Sequence, residues 1–159
     1  MSTDTTTSAA GAPPAWVNSM MTWMLRTPLL EKIIGQGLAL LTVTGRRTGR
    51  TYTFPVSYRR EDATVTIITK RERIWWRNLL TNPDVELRLA GRRYSGRAHV
   101  DLDGDDAVHR LMTFLTHRPV DARAFGVTLT REGLLEEDKA RSLQTRVVIV
   151  EVSLSEPGE

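Results

Sequence analysis

Apolar and polar positions along the chain fall into two periods, one of two residues and one of three to four. The period of two marks strands. "LALLTVT" (38–44) is a leucine and β-branched run. "TYTFPVSY" (51–58) places Tyr52, Phe54, Val56 and Tyr58 on one face. Pro55 has no N–H to give a ladder, so its strand belongs at an edge or a bulge. "ATVTIIT" (63–69) follows a polar turn at "RRED". "DVELRLA" (84–90) turns Val85, Leu87 and Leu89 inward, and after a "GRR" turn "YSGRAHV" (94–100) aligns Tyr94, Gly96, Ala98 and Val100. "TRVVIVEVSL" (145–154) is the last strand.

The longer period marks helices. Trp16, Met20, Trp23 and Met24 share one face of an N-terminal segment, and Pro28 either ends this helix or begins a second, "PLLEKIIGQG", which Gly35 and Gly37 close. "RERIWWRNLLTN" is too charged for a strand and reads as a short helix stopped by Pro83. "GDDAVHRLMTFLTHR" carries a stripe of Val108, Leu111, Met112 and Leu115. "PVDARAFGV" is irregular or a short helix, and "REGLLEEDKARSLQ" is a weaker helix. Residues 1–15 are rich in Ser, Thr, Ala, Gly and Pro and read as a disordered tail before a single domain spanning 16–159. Consecutive strands on short turns pair antiparallel, and a small sheet of this kind closes on itself. The expected fold is α+β: a barrel of about six strands, with helices at the N-terminus and between the fifth and last strands.

Composition narrows the chemistry. The formal net charge is +3, and all but three of the 22 cationic residues are arginines (the lysines are Lys32, Lys70 and Lys139). Arginine presents a planar fork that suits phosphate and carboxylate. Cysteine is absent, which excludes disulfides, thiolate catalysis and Cys-ligated zinc. That absence fits a cytoplasmic protein. The first residues lack the basic and apolar regions of a secretory signal, and no apolar run has the length of a membrane span. The Trp/Met face of the N-terminal helix suits either the mouth of the domain or peripheral contact with a membrane.

No nucleophile motif, dinucleotide fingerprint or P-loop occurs. His99, His109 and His117 lack partners at metal spacing. The acidic run Asp101, Asp103, Asp105, Asp106 has Met112 where a calcium loop needs glutamate. Neither a metal nor a catalytic side chain is therefore expected. Acidic residues such as Glu61, Asp62, Asp84 and Glu86 interrupt the basic runs, which speaks against a nucleic-acid surface. Two sets of residues remain. Arg46, Arg47, Thr48 and Arg50 crowd one hairpin turn, while Lys70, Arg71 and Arg73 end the third strand. Both are either an anion site or solvated loop charge. Trp75 and Asn78, three apart, suit either stacking and hydrogen bonding to a planar ligand or ordinary packing and capping.

Taken together, "LLTVTGRRTGRTYTFPVSY", "TIITK" and "IWWRNLLTNPDVELRL" resemble the deazaflavin-dependent nitroreductase family, split β-barrel proteins that use coenzyme F420. The order of the motifs matches the family from about Leu38 to Leu89. The resemblance implies a hydride-transferring F420-dependent reductase. It implies that Arg46, Arg47 and Thr48 hold the cofactor's phosphate and tail carboxylates, with Arg50 as a further tail contact. Phe54 and Pro55 would lie near the cofactor, and Ile67, Ile68, Thr69 and Lys70 would line its ring and polar chain. Trp75 and Asn78 would close the site. Trp16, Met20, Trp23 and Ser57 would face the substrate. The chain departs from the family's nitroimidazole-reducing members: residues 103–144 hold no tyrosine, and Phe114 and Phe125 are the aromatics there. The implied substrate is a small apolar electrophile such as a quinone, an enone or a nitro compound. The alternatives are a barrel that binds cofactor or lipid without turnover, and a relative that uses FMN. Related barrels are often homodimers.

Overall fold

The computed structural model describes residues 37–155, apart from 103 and 105. The disordered tail, the Trp16–Met24 helix and the following helix expected from the sequence lie outside the described residues. Seven strands form one curled antiparallel sheet: β1 (Leu38–Thr44), β2 (Thr51–Ser57), β3 (Arg59–Glu61), β4 (Thr64–Lys70), β5 (Asp84–Leu89), β6 (Arg92–Asp101) and β7 (Val147–Leu154). Their order across the sheet is β2-β1-β5-β6-β7-β4-β3. A 3-10 turn at Trp75–Arg77 runs into α1 (Asn78–Thr81). Three more helices, α2 (Ala107–His117), α3 (Pro119–Ala124) and α4 (Glu137–Gln144), lie between β6 and β7. The α+β split barrel expected from the sequence is the fold observed.

The strand count is seven where about six were expected. The extra strand, β3, falls in the "RRED" stretch read as a turn. It pairs with β4 alone, at the sheet's edge, and Arg59 closes a fork on Glu61 at 2.9 and 3.1 Å. Charged edge strands resist pairing with other chains, and their composition hides them from a hydrophobic pattern. The expected edge position of Pro55 is met: β2 pairs only with β1, Leu40 opposite Pro55. α4 is shorter than its sequence pattern, beginning only at Glu137. β6 begins earlier, because Ala90 and Gly91, both at positive φ, make the turn and release Arg92 and Arg93 into the strand.

Two apolar cores explain why β7 reads as a continuous run. Val148, Val150 and Val152 point into the barrel with Leu41, Phe54, Ile67, Leu87 and Trp75. Val147 and Ile149 point outward and pack with Ile68, Leu111, Phe114, Leu115 and Leu143 under the helices. A strand covered on both faces loses its polar alternation. The helices thus cover the outer side of β4 and β7, and the open seam of the barrel lies where β2 and β4 face each other without a ladder between them.

Candidate functional site

The seam holds a cleft of about 480 Å³. β2 contributes Phe54, Pro55, Val56 and Ser57; β4 contributes Ile67, Ile68, Thr69 and Lys70. Arg73, Trp75 and, from the helical side, Asp121, Ala124 and Phe125 complete it together with Leu38. Eight of the residues assigned to a site from sequence therefore share one wall system, although β2 and β4 stand far apart in the order of the sheet.

The apolar wall is fixed by contacts behind it. The Phe54 and Trp75 rings sit 5.0 Å apart, tilted by 58°. Trp75 Nε1 donates to Thr69 Oγ1 at 3.2 Å, which satisfies the two buried polar groups at once. Trp76 turns away and donates its Nε1 proton to the Arg71 carbonyl oxygen at 3.2 Å, under the Arg77 guanidinium. Both indoles join the barrel core, and Trp75 also lines the cleft.

The turn residues stand apart from the cleft. Gly45 N–H donates to Arg50 O at 2.7 Å, and Gly49, at φ +68°, supplies the left-handed residue of the turn. Arg46, Arg47, Thr48 and Arg50 are exposed and do not line the cleft. Asn78 does not line it either. Its Oδ1 accepts the Arg46 backbone N–H at 3.1 Å, which binds the arginine turn to the helix that follows Trp75. Thr48 Oγ1 accepts the Arg50 N–H at 3.4 Å. Trp16, Met20 and Trp23 lie outside the described residues.

The cations at the end of β4 have different uses. Arg71 donates to the carbonyls of Val147, Leu102 and Gln144 at 3.0, 2.6 and 3.4 Å, so it clamps backbone. Lys70 and Arg73 line the cleft and make no ion pair among the described residues. A second hollow of about 560 Å³ shares Lys70, Ala124 and Phe125 with the first and adds Arg123 and Arg146. Two groups with displaced protonation lie away from the cleft. A hydrogen bond from Arg60 lowers the Tyr94 hydroxyl, and backbone and Thr130 hydrogen bonds lower Glu132. Among the described residues no cluster of His, Asp and Glu could hold a metal. Nor is any helix there long and apolar enough to cross a membrane.

Sequence reasoning missed Asp121, a carboxylate 9% exposed on the cleft wall. Its partners are Ser57 Oγ, donating at 3.0 Å, and Arg118 Nε, donating at 2.6 Å. The available signal was the Pro119 helix start in "RPVDARA", which places an acid in a first turn.

A family model described as F420H(2)-dependent quinone reductase matches residues 20–129. Among solved structures, an F420-H2 dependent reductase (FDR-A) is 14% identical over 76% of this chain and 95% of its own, with a TM-score of 0.52. A protein described as a domain-swapped dimer is 15% identical over 91% of this chain and 100% of its own, TM-score 0.53. A putative 5-nitroimidazole antibiotic resistance protein from Bacteroides thetaiotaomicron is 12% identical over 91% and 81%, TM-score 0.50. At these identities the likeness is one of fold. No curated protein matches the sequence. The family match covers well over half of the chain and names the same cofactor that the sequence motifs implied. The chain belongs to the F420H2-dependent quinone reductase family, and it is an F420-dependent reductase built on a split barrel.

Proposed function

We propose that this reductase acts on a small, largely apolar electrophile of the quinone, enone or nitro type, in the cleft between β2 and β4. One observation carries the reading: an apolar, aromatic-walled cleft of about 480 Å³ has among its lining residues two cations, Lys70 and Arg73, that make no ion pair among the described residues. A flat ring carrying a polar, anionic chain asks for that pairing of surfaces. The residues present fit coenzyme F420. Ile67, Ile68 and Thr69, backed by Phe54 and Trp75 and flanked by Pro55, offer the ring an apolar bed. Lys70 offers a cation to its chain. On the turn that Asn78 ties to the helix after Trp75, Arg46, Arg47 and Arg50 would offer charge, and Thr48 a hydroxyl, to its phosphate and acidic tail.

When bound and reduced, the cofactor supplies two electrons together as hydride. The chain's part is to orient both molecules and to keep water from them. Phe125 and Ala124, which line the helical side of the cleft, would serve that second role. No side chain needs to act as nucleophile.

The test is anaerobic mixing of the purified protein with reduced F420 and, in turn, menadione, cyclohexenone and a nitroaromatic. Oxidation of the cofactor that depends on both protein and acceptor is expected for at least one of them. Cofactor binding without oxidation by any acceptor would contradict the proposal and favour a carrier.

A further inference from the structure

The cleft wall also carries a hydrogen-bonded pair of polar side chains. Asp121 of α3 reaches across to Ser57 of β2, and both line the cleft. The far carboxylate oxygen is taken by Arg118 at 2.6 Å. Arg118 is itself locked. Its guanidinium occupies the place where a side chain at position 37 would begin. Gly37 also stands at φ +81°, so both space and backbone call for glycine there.

A carboxylate can only accept hydrogen bonds, so the serine must donate its one proton to Asp121. Among the described residues Ser57 has no other side-chain hydrogen bond. What it presents to the cleft is therefore its oxygen lone pairs. A molecule that meets Ser57 has to bring an N–H or O–H. A carbonyl or nitro oxygen arriving there would need the serine proton for itself, which would strand an oxygen of a buried carboxylate. Such mismatches at buried polar groups discriminate more strongly than a change of apolar shape does.

We infer that Ser57, held in this orientation by Asp121 and Arg118, is a specificity-determining residue of the acceptor site. It selects acceptors that carry a hydrogen-bond donor beside the reducible group, such as an amino-substituted quinone over its alkyl counterpart. Asp121 and Arg118 act through Ser57 and are positioning residues. The inference rests on reading the cleft as the place where an acceptor meets the cofactor.

The polarity can be reversed at nearly constant size. In Asp121→Asn the side-chain oxygen stays with Arg118, and the amide N–H faces Ser57. The serine then accepts, and its proton turns to the cleft. The probes are 2-amino-1,4-naphthoquinone and 2-methyl-1,4-naphthoquinone, which differ by an amino group in place of a methyl. Their affinities for protein loaded with oxidised F420 are read from tryptophan quenching, and their kcat/KM values from oxidation of the reduced cofactor. Comparing the amine-to-methyl ratio between proteins cancels the probes' different reduction potentials.

The wild-type protein should bind the amine about tenfold better, the weight of one hydrogen bond. Ser57→Ala should bring the ratio to near one, and Asp121→Asn should bring it below one. An unaltered ratio in Ser57→Ala overturns the inference whether or not Asp121→Asn folds, and so does absence of saturable amine binding to the wild-type protein. The expected affinity pattern without cofactor oxidation would overturn the reductase reading and leave the selectivity of Ser57 standing. Oxidation at a constant ratio would do the reverse.

Discussion

Two groups of arginines in this protein look alike as sequence and differ in what surrounds them. Arg46, Arg47 and Arg50 sit exposed on a turn, without an ion pair among the described residues. Arg71 and Arg118 are largely withdrawn from solvent and bonded within the protein, the first on three backbone carbonyls, the second on Asp121. A guanidinium whose donors are all directed at the protein holds the fold together. One whose donors face water is available to a ligand. Burial and geometry separate the two uses, and local sequence does not.

The contrast predicts opposite responses to the same substitution. Arg118→Ala should be the most damaging, because it leaves the Asp121 carboxylate buried without its cation. A loss of about 3–5 kcal/mol is expected from denaturant unfolding. If the protein is as stable as wild type, Asp121 is better solvated than the structure indicates. Arg71→Ala removes charged donors from the junction of β4, β7 and the helices, and should cost about 1.5–3 kcal/mol by the same measurement.

Arg47→Ala inverts the pattern. Its stability should stay within about 0.5 kcal/mol of wild type, as for an ordinary surface change. Its affinity for F420 should fall by about 1.5–3 kcal/mol, the weight of one charge-assisted bond. Lys70→Ala should behave likewise. Equal affinity in both variants would make these cations solvated charges and dissolve the contrast. Asn78→Ala should have the smallest effect, about 0.5–1.5 kcal/mol in stability from its one bond to the Arg46 backbone. A modest loss of cofactor affinity should accompany it as the turn loosens, measurable by isothermal titration.

How far the sequence reached can be read from particular residues. The alternation in "DVELRL" and "YSGRAHV" announced β5 and β6, because one face of each meets the barrel core and the other meets water. β3 escaped, since an edge strand of Arg, Arg and Glu has no apolar face to display. Phe54, Thr69, Lys70 and Trp75 were legible as a set only through their resemblance to a known family. The curl of the sheet that unites them is a property of the whole fold. Asn78 was noticed, but its work is to hold Arg46 and not to meet the cleft. Asp121 carried only the weak signal of a helix start: its partner Ser57 lies 64 positions away, and a lone acid in a six-residue helix resembles any surface acid.

The central claim is that the cofactor binds in the seam between β2 and β4, and the two adjacent tryptophans provide the most direct test. The Trp75 indole N–H is bonded to Thr69 in the cleft wall, whereas that of Trp76 is bonded to the Arg71 carbonyl behind it. Indole N–H resonances, assigned with single Trp→Phe variants, would be followed by NMR during titration with F420. The account predicts a saturable shift of the Trp75 resonance several times larger than that of Trp76. Saturable binding that leaves Trp75 unmoved, or moves Trp76 more, would contradict it.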